Sequence, residues 1–177
     1  MQILANTIIK LRALEPQDID FLFQTENDSN FWEISGTQTP FSRYILEQYI
    51  KNAHQDIYEA KQLRLVIEDA KNTAIIGMID LFDFDPQHQR AGVGILILKD
   101  YQQKGFATEA LKIFINYAFE ILRLHQVYAN ITSDNQRSIS LFEKLHFEKI
   151  GLKKDWIKTE NTFKNVLLYQ LINNDHD

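Results

Sequence analysis

Cysteine is missing from the 177-residue sequence, and its absence removes several functional classes. Without a thiol, the chain has no disulfide framework, no thiolate ligand for a metal and no cysteine nucleophile. Long apolar segments are missing as well, since nowhere do about 18 apolar residues follow one another, as a membrane-spanning helix requires. Residues 1–6 carry neither a basic segment nor a long apolar run. We therefore predict a soluble, cytoplasmic protein without a signal peptide.

A basic excess is also lacking. The formal net charge is −5 and the pI is near 5.5, whereas a protein that binds a nucleic-acid backbone normally presents a basic face. We therefore predict neither a nucleic-acid nor a membrane partner. An acidic chain is compatible with a cationic substrate such as an amine.

The amino-acid composition is typical of one globular domain. Hydrophobic residues make up 45% of the chain, which at this length is enough to bury a core. No internal repeat, linker or low-complexity segment divides the sequence. We predict a single domain over residues 1–177.

Apolar periodicity predicts an α/β (α+β) fold. Alternating or continuously apolar runs predict strands over residues 7–13, 63–68, 74–84, 89–98, 126–132, 148–152 and 163–171. Apolar residues at i, i+3 and i+4 predict helices that begin near Pro16, Ser42, Gln102 and Asn135. The order is β-α-α-β-β-β-α-β-α-β-β. It indicates a mixed, mostly antiparallel sheet flanked by helices, and not a doubly wound parallel sheet.

Residues 27–41 are polar and are interrupted by Gly36 and Pro40, which predicts a loop. The loop contains Trp32 and Glu33, which either line a substrate site or pack within the loop itself. The helix that follows is predicted to carry an apolar stripe from Leu46 to Ile57.

The junction between a buried strand and the longest predicted helix is the most informative segment. Residues 93–98 are apolar throughout, and the helix begins within residues 102–108, with a buried side predicted at Leu111, Phe114, Ile115, Ala118, Ile121 and Leu122. A helix start exposes unpaired backbone N–H groups and partial positive charge, so small residues there let a phosphate approach the backbone. Gly105 and Ala107 supply that clearance, and Lys104 adds a positive charge. The alternative is that Gly105 only eases a tight turn.

Two common nucleotide-binding motifs are excluded. The P-loop string GxxxxGK(S/T) does not occur in the sequence. Gly92-Val93-Gly94 begins an apolar run where the dinucleotide-binding fingerprint requires a turn, and a third glycine is lacking.

Two ordered segments resemble the GNAT acetyltransferase superfamily. Gln102-x-x-Gly105-x-Ala107 is similar to the family signature Q/R-x-x-G-x-G/A. Residues 135–147, NQRSISLFEKLHF, resemble the family block N-x-x-S/A-x-x-L/F-Y/F-x-K-x-G-F, at the separation expected when one helix and one strand intervene. The branch that the chain resembles contains ribosomal-protein N-terminal and spermidine acetyltransferases, and the resemblance covers nearly the whole chain.

The resemblance implies an acetyl-CoA-dependent N-acetyltransferase with the element order given above. It implies that acetyl-CoA is a co-substrate, held by the backbone of one strand (Ile95, Leu96, Ile97), by the helix start (Gln102, Gln103, Lys104, Gly105, Phe106, Ala107, Thr108) and by a second contact (Asn135, Ser138). Asn135 is equally a candidate helix N-cap, and the two roles can coexist.

Three positions depart from the family pattern. Many relatives place a tyrosine that protonates the leaving thiolate where Phe142 stands, and phenylalanine has no hydroxyl. Many also carry a glutamate base where Gly92 stands. His146 replaces the usual glycine before Phe147, where a helix that ends in the left-handed conformation tolerates histidine only moderately.

Asp80 is the candidate base in place of these groups. It interrupts an apolar run, and an acid in a central strand is costly unless it is hydrogen bonded or used. Asp83 should face the opposite side of the sheet unless a bulge intervenes, and we interpret it as a solvated strand end.

Acidic and aromatic side chains elsewhere predict a pocket for a cationic amine. Carboxylates supply charge and indole rings supply cation–π contact, and the candidates are Trp32, Glu33, Asp155 and Trp156. The alternative for the last two is an exposed hairpin edge. His88 and His125 are isolated in the sequence, and His54 and His176 lie in polar surroundings. No pair of histidines has the spacing of metal ligands, so we predict no metal.

Together these inferences predict direct acetyl transfer from acetyl-CoA to a primary amine in a ternary complex. No acetyl-enzyme is expected, because the chain lacks cysteine and a Ser-His constellation. A small cationic, polyamine-like amine is the predicted acceptor, and a protein N-terminal amine is the alternative. Phe142 and Gly92 leave open a non-catalytic acyl-CoA-binding module. A homo-oligomer is compatible with the sequence.

Overall fold

The computed structural model describes residues 4–174 apart from the side chain of residue 34, so the expectation for His176 lies outside the described residues. Its strands are β1 (Ile9–Ala13), β2 (Leu63–Asp69), β3 (Ile75–Asp85), β4 (Arg90–Ile97), β5 (Gln126–Thr132), β6 (Glu148–Lys158) and β7 (Phe163–Ile172). They form one seven-stranded sheet in the order β1-β2-β3-β4-β5-β7-β6. Among these strand pairs only β4 and β5 run parallel. The predicted mixed, mostly antiparallel sheet is therefore confirmed.

The helices are α1 (Ile19–Glu26), α2 (Ser29–Ser35), α3 (Arg43–Asn52), α4 (Ile57–Ala60), α5 (Phe106–Glu120) and α6 (Gln136–Lys144). The prediction of a loop over residues 27–41 was wrong for α2. This helix has only seven residues, too few to show a repeated apolar stripe, but Asp28 caps its start and Gly36, at φ 72°, ends it. Ser42 caps α3 as predicted, by accepting a hydrogen bond from the Ile45 amide.

Three predicted element ends were wrong. The apolar stripe predicted from Leu46 to Ile57 spans two helices, because α3 ends at Asn52. Ile121 follows the last residue of α5 and is exposed, so it is not part of the buried side. Strand β6 continues past residue 152 to Lys158. As an edge strand it buries little apolar surface, and the sequence therefore lacks the alternation that marks a half-buried strand.

Different helices cover the two faces of the sheet. Met78 packs with Leu22 of α1 and Leu46 of α3. Its neighbour Ile79 belongs to the larger core cluster, which includes Leu111 of α5. Consecutive strand residues point to opposite faces, so α1 and α3 lie on one face and α5 on the other. Each fully buried leucine contributes about 2 kcal/mol to this packing.

Strands β4 and β5 diverge soon after they meet. Their parallel pairing joins residues 90–92 to residues 126–128. Beyond Gly92, β4 no longer pairs with β5 but stays paired with β3 as far as Ile97. The gap that opens between them points toward the start of α5 and determines where the cavities of the molecule lie.

Candidate active site

A cavity of about 980 Å³, here the first cavity, opens at the divergence of β4 and β5. Its wall includes the end of α1, the middle of β3, the part of β4 that lies beyond its pairing with β5, the start of α5 and one side of α6, together with Arg64 of β2 and Asn130 of β5. Residues from distant parts of the sequence therefore share one concave surface, as in most ligand sites.

The start of α5 presents bare backbone to the first cavity. The amide of Glu109 donates to the carbonyl of Gly105 at 3.2 Å, so the three amides before it have no carbonyl within the helix to bond. Gly105 has φ 85°, and no atom lies within 4 Å of the position that a β-carbon would take. Gly105 and residues 106–108 all line the cavity. This arrangement suits an anionic phosphate.

Gln102 connects this helix start to two other elements. Its Nε2 donates to the carbonyl of Ile97 at 3.0 Å, and its Oε1 accepts from Nη1 of Arg137 at 2.9 Å. Arg137 lies in the first turn of α6 and lines the first cavity. A guanidinium thus lies on the same cavity surface as the bare amides.

The start of α6 forms another wall of the cavity. Asn135 caps the helix, because its Oδ1 accepts from the amide of Ser138 at 3.2 Å. Asn135 and Ser138 line the first cavity together with Ile95, Leu96 and Ile97 of β4. The capping role of Asn135 leaves its amide nitrogen without a hydrogen-bond partner among residues 4–174.

A second cavity, of about 720 Å³, adjoins the first. Gly94, Ile95, Asn130, Asn135 and Ser138 line both cavities, so the two meet across the gap between β4 and β5. The rest of the wall of the second cavity comes from α2, from β5, from Phe142 of α6 and from the β6–β7 hairpin.

Three charged residues form an ion-pair cluster in the wall of the first cavity. Arg64 donates to Asp80 through Nε at 2.7 Å and Nη2 at 3.1 Å, and to Glu26 through Nη1 at 2.5 Å. Burial lowers the pKa of Arg64, but the carboxylates of Asp80 and Glu26 outweigh this effect and hold the pKa above its ordinary value. Arg64 therefore remains a cation.

Comparison with known proteins identifies the family. Residues 9–148 match the Acetyltransferase (GNAT) domain family. The chain belongs to the GNAT acetyltransferase family. It is 30% identical over 149 residues to a spermidine N(1)-acetyltransferase of Vibrio cholerae, covering 82% of each chain. It is 23% identical to the putative ribosomal N-acetyltransferase YdaF of Bacillus subtilis, covering 94% of this chain and 92% of that one.

Solved GNAT structures agree with this assignment. A crystal structure of spermidine N-acetyltransferase from Vibrio cholerae in complex with CoA and spermine matches with a TM-score of 0.84 and 27% identity, over 94% of this chain and 96% of that chain. A dodecameric structure of the enzyme from the same organism matches with a TM-score of 0.78 and 28% identity, covering 94% and 95% of the two chains. The chain is an acetyl-CoA-dependent N-acetyltransferase, and acetyl-CoA is its co-substrate.

Most residues predicted to hold the co-substrate lie together in this acetyltransferase. The first cavity is lined by Ile95, Leu96, Ile97, Gln102, Gln103, Gly105, Phe106, Ala107, Thr108, Asn135 and Ser138. Lys104 is not among the lining residues, and its ammonium lies 5.7 Å from the centre of the Tyr101 ring. The bare amides and the open space at Gly105 suit a diphosphate.

The residues predicted to bind the amine are only partly brought together. Trp32, Glu33 and Trp156 line the second cavity, whereas Asp155 is not among its lining residues. Asp155 instead occupies a left-handed bulge of β6, at φ 49°. Glu33 pairs with Lys164 at 2.6 Å, and Lys164 also contacts Asp134 at 2.7 Å. Both contacts raise the pKa of Lys164, and the hydrogen bond to Asp134 has the larger effect.

The departures from the family pattern have local physical causes. A β-carbon on Gly92 would lie 2.2 Å from the Phe82 ring, so a phenyl ring covers the place where many relatives carry a glutamate. Phe142 is buried, and its ring packs edge-on against Phe147 at 4.9 Å. His146 adopts the left-handed conformation, at φ 66°, that the usual glycine would provide.

Asp83 lies in a bulge of β3, so the alternation of side chains in a regular strand does not apply to it. It has φ 49°, within a register shift between Phe82 and Asp85, and its carboxylate accepts from the Tyr128 hydroxyl at 3.3 Å. Burial, and then the nearby Asp83 charge, raise the pKa of Tyr128. Asp83 is exposed and does not line either cavity.

Sequence reasoning missed four charged residues that line the first cavity, namely Glu26, Arg64, Arg137 and Lys144. Glu26 ends a helix and Arg64 lies in a strand, 38 residues away, so no local pattern links them. Arg137 falls at a variable position of the family block.

Among residues 4–174, no group of three or more histidine and acidic side chains has the arrangement of a metal site. No helix within these residues is long and apolar enough to cross a membrane.

Proposed function

We propose that this acetyltransferase acetylates a small cationic amine of the polyamine type. Sequence similarity to spermidine N-acetyltransferases supports this substrate class, as does the fold match to a relative in complex with CoA and spermine. The observation that carries most weight in the chain itself is the joining of two cavities across the β4–β5 gap. One cavity suits the co-substrate, and the other leads to the same point from the opposite side.

We propose direct transfer in a ternary complex. The uncharged amine nitrogen attacks the thioester carbon, an N–C bond forms, the C–S bond breaks with CoA leaving as its thiolate, and the nitrogen loses a proton to a base. Asp80 is the proposed base, either directly or through water. Its strand position is opposite Gly94, where the two cavities meet, and Arg64 holds its carboxylate there. Orientation of the two substrates supplies much of the rate enhancement in such a mechanism.

The predicted site residues enter this proposal in two groups. The residues of β4, the α5 start and the α6 start hold the co-substrate, with Lys104 at the rim and Arg137 as an added phosphate contact. Trp32, Glu33 and Trp156 form the acceptor side, with Asp155 at its edge. In the free protein Glu33 is paired with Lys164, so an incoming ammonium group would compete with that lysine for the carboxylate.

We also propose that the chain works as one domain in the cytoplasm and assembles into a homo-oligomer. The single seven-stranded sheet supports one domain. A chain without cysteine needs no oxidising compartment. The dodecameric structure of a relative supports self-assembly. Size-exclusion chromatography with light scattering tests the last point, and a mass of one chain would refute it.

Thiol release from acetyl-CoA over a panel of amines tests the proposed activity. The panel contains spermidine, spermine, aminoglycosides and peptides with free N-termini. We expect turnover with the polyamines and none with the peptides. Turnover only with peptides would favour the alternative, a protein N-terminal acetyltransferase. Tight CoA binding without turnover on any amine would contradict the proposal.

A further inference from the structure

The cluster of Glu26, Arg64 and Asp80 carries an unbalanced charge. One guanidinium faces two carboxylates, so the cluster has one formal negative charge in excess. The three side chains are largely shielded, with 16%, 19% and 24% of their side-chain surfaces exposed. Charge in a partly buried cluster is poorly screened by salt. Asp80 lies opposite Gly94, where the two cavities meet. A cationic acceptor that arrives from the second cavity would therefore be attracted to this wall.

Arg64 is fixed too firmly to leave the cluster easily. It makes three hydrogen bonds to the two carboxylates, and its guanidinium carbon lies 5.7 Å from the centre of the Tyr49 ring. Glu26 is also anchored, since its backbone carbonyl accepts from Nε1 of Trp32 at 2.9 Å. The excess negative charge thus belongs to a preorganised cluster.

The two carboxylates differ in how many of their oxygens Arg64 occupies. Arg64 engages both oxygens of Asp80, whereas it engages only Oε1 of Glu26. Among the described residues, no donor reaches the second oxygen of Glu26. A carboxylate oxygen of this kind can accept a charge-assisted hydrogen bond from an ammonium group.

We propose that Glu26 binds a non-reacting ammonium group of a di- or polyamine and so selects acceptors with more than one positive charge. Arg64 is a positioning residue, because its guanidinium donates to both the Glu26 and the Asp80 carboxylate and so fixes the separation between them. An acceptor whose nitrogens are joined by a short alkyl chain can then place one nitrogen at Glu26 and the reacting nitrogen near Asp80. This inference rests on the proposed amine acetylation and adds the determinant of selectivity.

Glu26→Gln tests the inference, because it removes the charge and keeps the shape of the side chain. The assay compares spermidine with butylamine, which has a single nitrogen. We expect kcat/KM for spermidine to fall about ten-fold or more, mainly through KM, whereas kcat/KM for butylamine and KM for acetyl-CoA change by less than about three-fold. A ten-fold loss of the spermidine preference corresponds to about 1.4 kcal/mol.

Two further variants separate charge from structure. Glu47→Gln, at an exposed position of α3, changes the net charge equally and should leave the spermidine preference intact. Glu26→Asp keeps the carboxylate and should retain more of the preference than Glu26→Gln, with melting temperatures checking that each variant is folded. An unchanged ratio of spermidine to butylamine in folded Glu26→Gln would overturn the inference while leaving amine acetylation in place. A wild-type enzyme that acetylates neither amine would overturn both.

Discussion

Two glycines hold the left-handed conformation in open space, but only one lies where a phosphate would bind. Gly105 begins α5 at φ 85°, and Gly36 ends α2 at φ 72°. In both cases no atom lies within 4 Å of the position of a β-carbon. The backbone strain of an alanine would therefore be similar at the two positions, whereas the ligands nearby differ.

Gly105→Ala should weaken CoA binding selectively. We expect each alanine variant to lose about 1 kcal/mol of stability, because a β-carbon is unfavourable at positive φ. Only Gly105→Ala should also raise the Kd for CoA, by about ten-fold or more, since its methyl group enters the space beside the bare amides. Calorimetric titration with CoA measures the difference. Equal CoA affinities in the two variants would contradict the phosphate assignment at α5.

Packing against the Phe82 ring leaves no room for a side chain at position 92. We therefore expect substitutions at Gly92 and Phe82 to have coupled effects on stability. Gly92→Ala should destabilise the fold by about 1 to 3 kcal/mol, because the new β-carbon would overlap the Phe82 ring. In the double variant Phe82→Ala/Gly92→Ala, the two losses should not add, with a coupling of about 1 kcal/mol. Gly94→Ala is the control, since its β-carbon would lie at 3.9 Å from the same ring. Urea denaturation that gives additive losses would refute the contact.

At the scale of single elements, the start of α6 has two tasks. Asn135 caps the helix through Oδ1, and its amide nitrogen remains available to the cavity. Serine also caps helices well but has no amide group.

Asn135→Ser should therefore separate the two tasks. We expect stability to change by less than about 0.5 kcal/mol, because the cap is kept. The Kd for CoA should rise about three- to ten-fold, which corresponds to one lost hydrogen bond. Asn135→Ala, which loses both functions, should also lower stability by about 1 kcal/mol. If Asn135→Ser binds CoA as tightly as the wild type, Asn135 is only a cap.

Elements differ in how much of them could be predicted from their own residues. The buried side of α5 at Leu111, Phe114, Ile115 and Ala118 is confirmed, because a long periodic stripe outweighs local preferences. Helix α2 and the outer half of β6 were missed, since neither buries enough apolar surface to leave a pattern. The bulge at Asp155 was not predicted, and the one at Asp83 was left only as an alternative, because a bulge is defined by pairing with another strand.

At the scale of the whole molecule, one buried ionic contact ties the sheet edge to the first helix. Asp18, which is 2% exposed, accepts two hydrogen bonds from Arg12 of β1, at 2.7 and 3.0 Å, and Arg12 also bonds Glu68 of β2. Burial raises the pKa of Asp18, but the hydrogen bond from Arg12 and that from the Glu15 amide bring it below the ordinary value of 3.8.

The stability of the fold should therefore depend on pH through Asp18. A carboxyl group whose pKa is lower in the folded than in the unfolded state stabilises the fold above pH 3.8 and loses that contribution as the pH falls through its folded pKa. We expect Asp18→Asn to lose about 3 kcal/mol at neutral pH, and less as the pH approaches 3. Exposed Asp20→Asn is the control. Urea denaturation across pH checks this, and a loss independent of pH would contradict it.

The sequence alone determined the order of strands and helices along the chain and the long helix α5, and its motifs predicted the phosphate site, because periodicity and short motifs are local and can be recognised without knowledge of their partners. The tertiary structure decided where β4 and β5 part, that Arg137 meets Gln102 across 35 residues, and that Glu26 shares Arg64 with Asp80. Those contacts depend on strand register and on how helices dock onto the sheet. Both are set by the packing of the whole core, so no single segment encodes them.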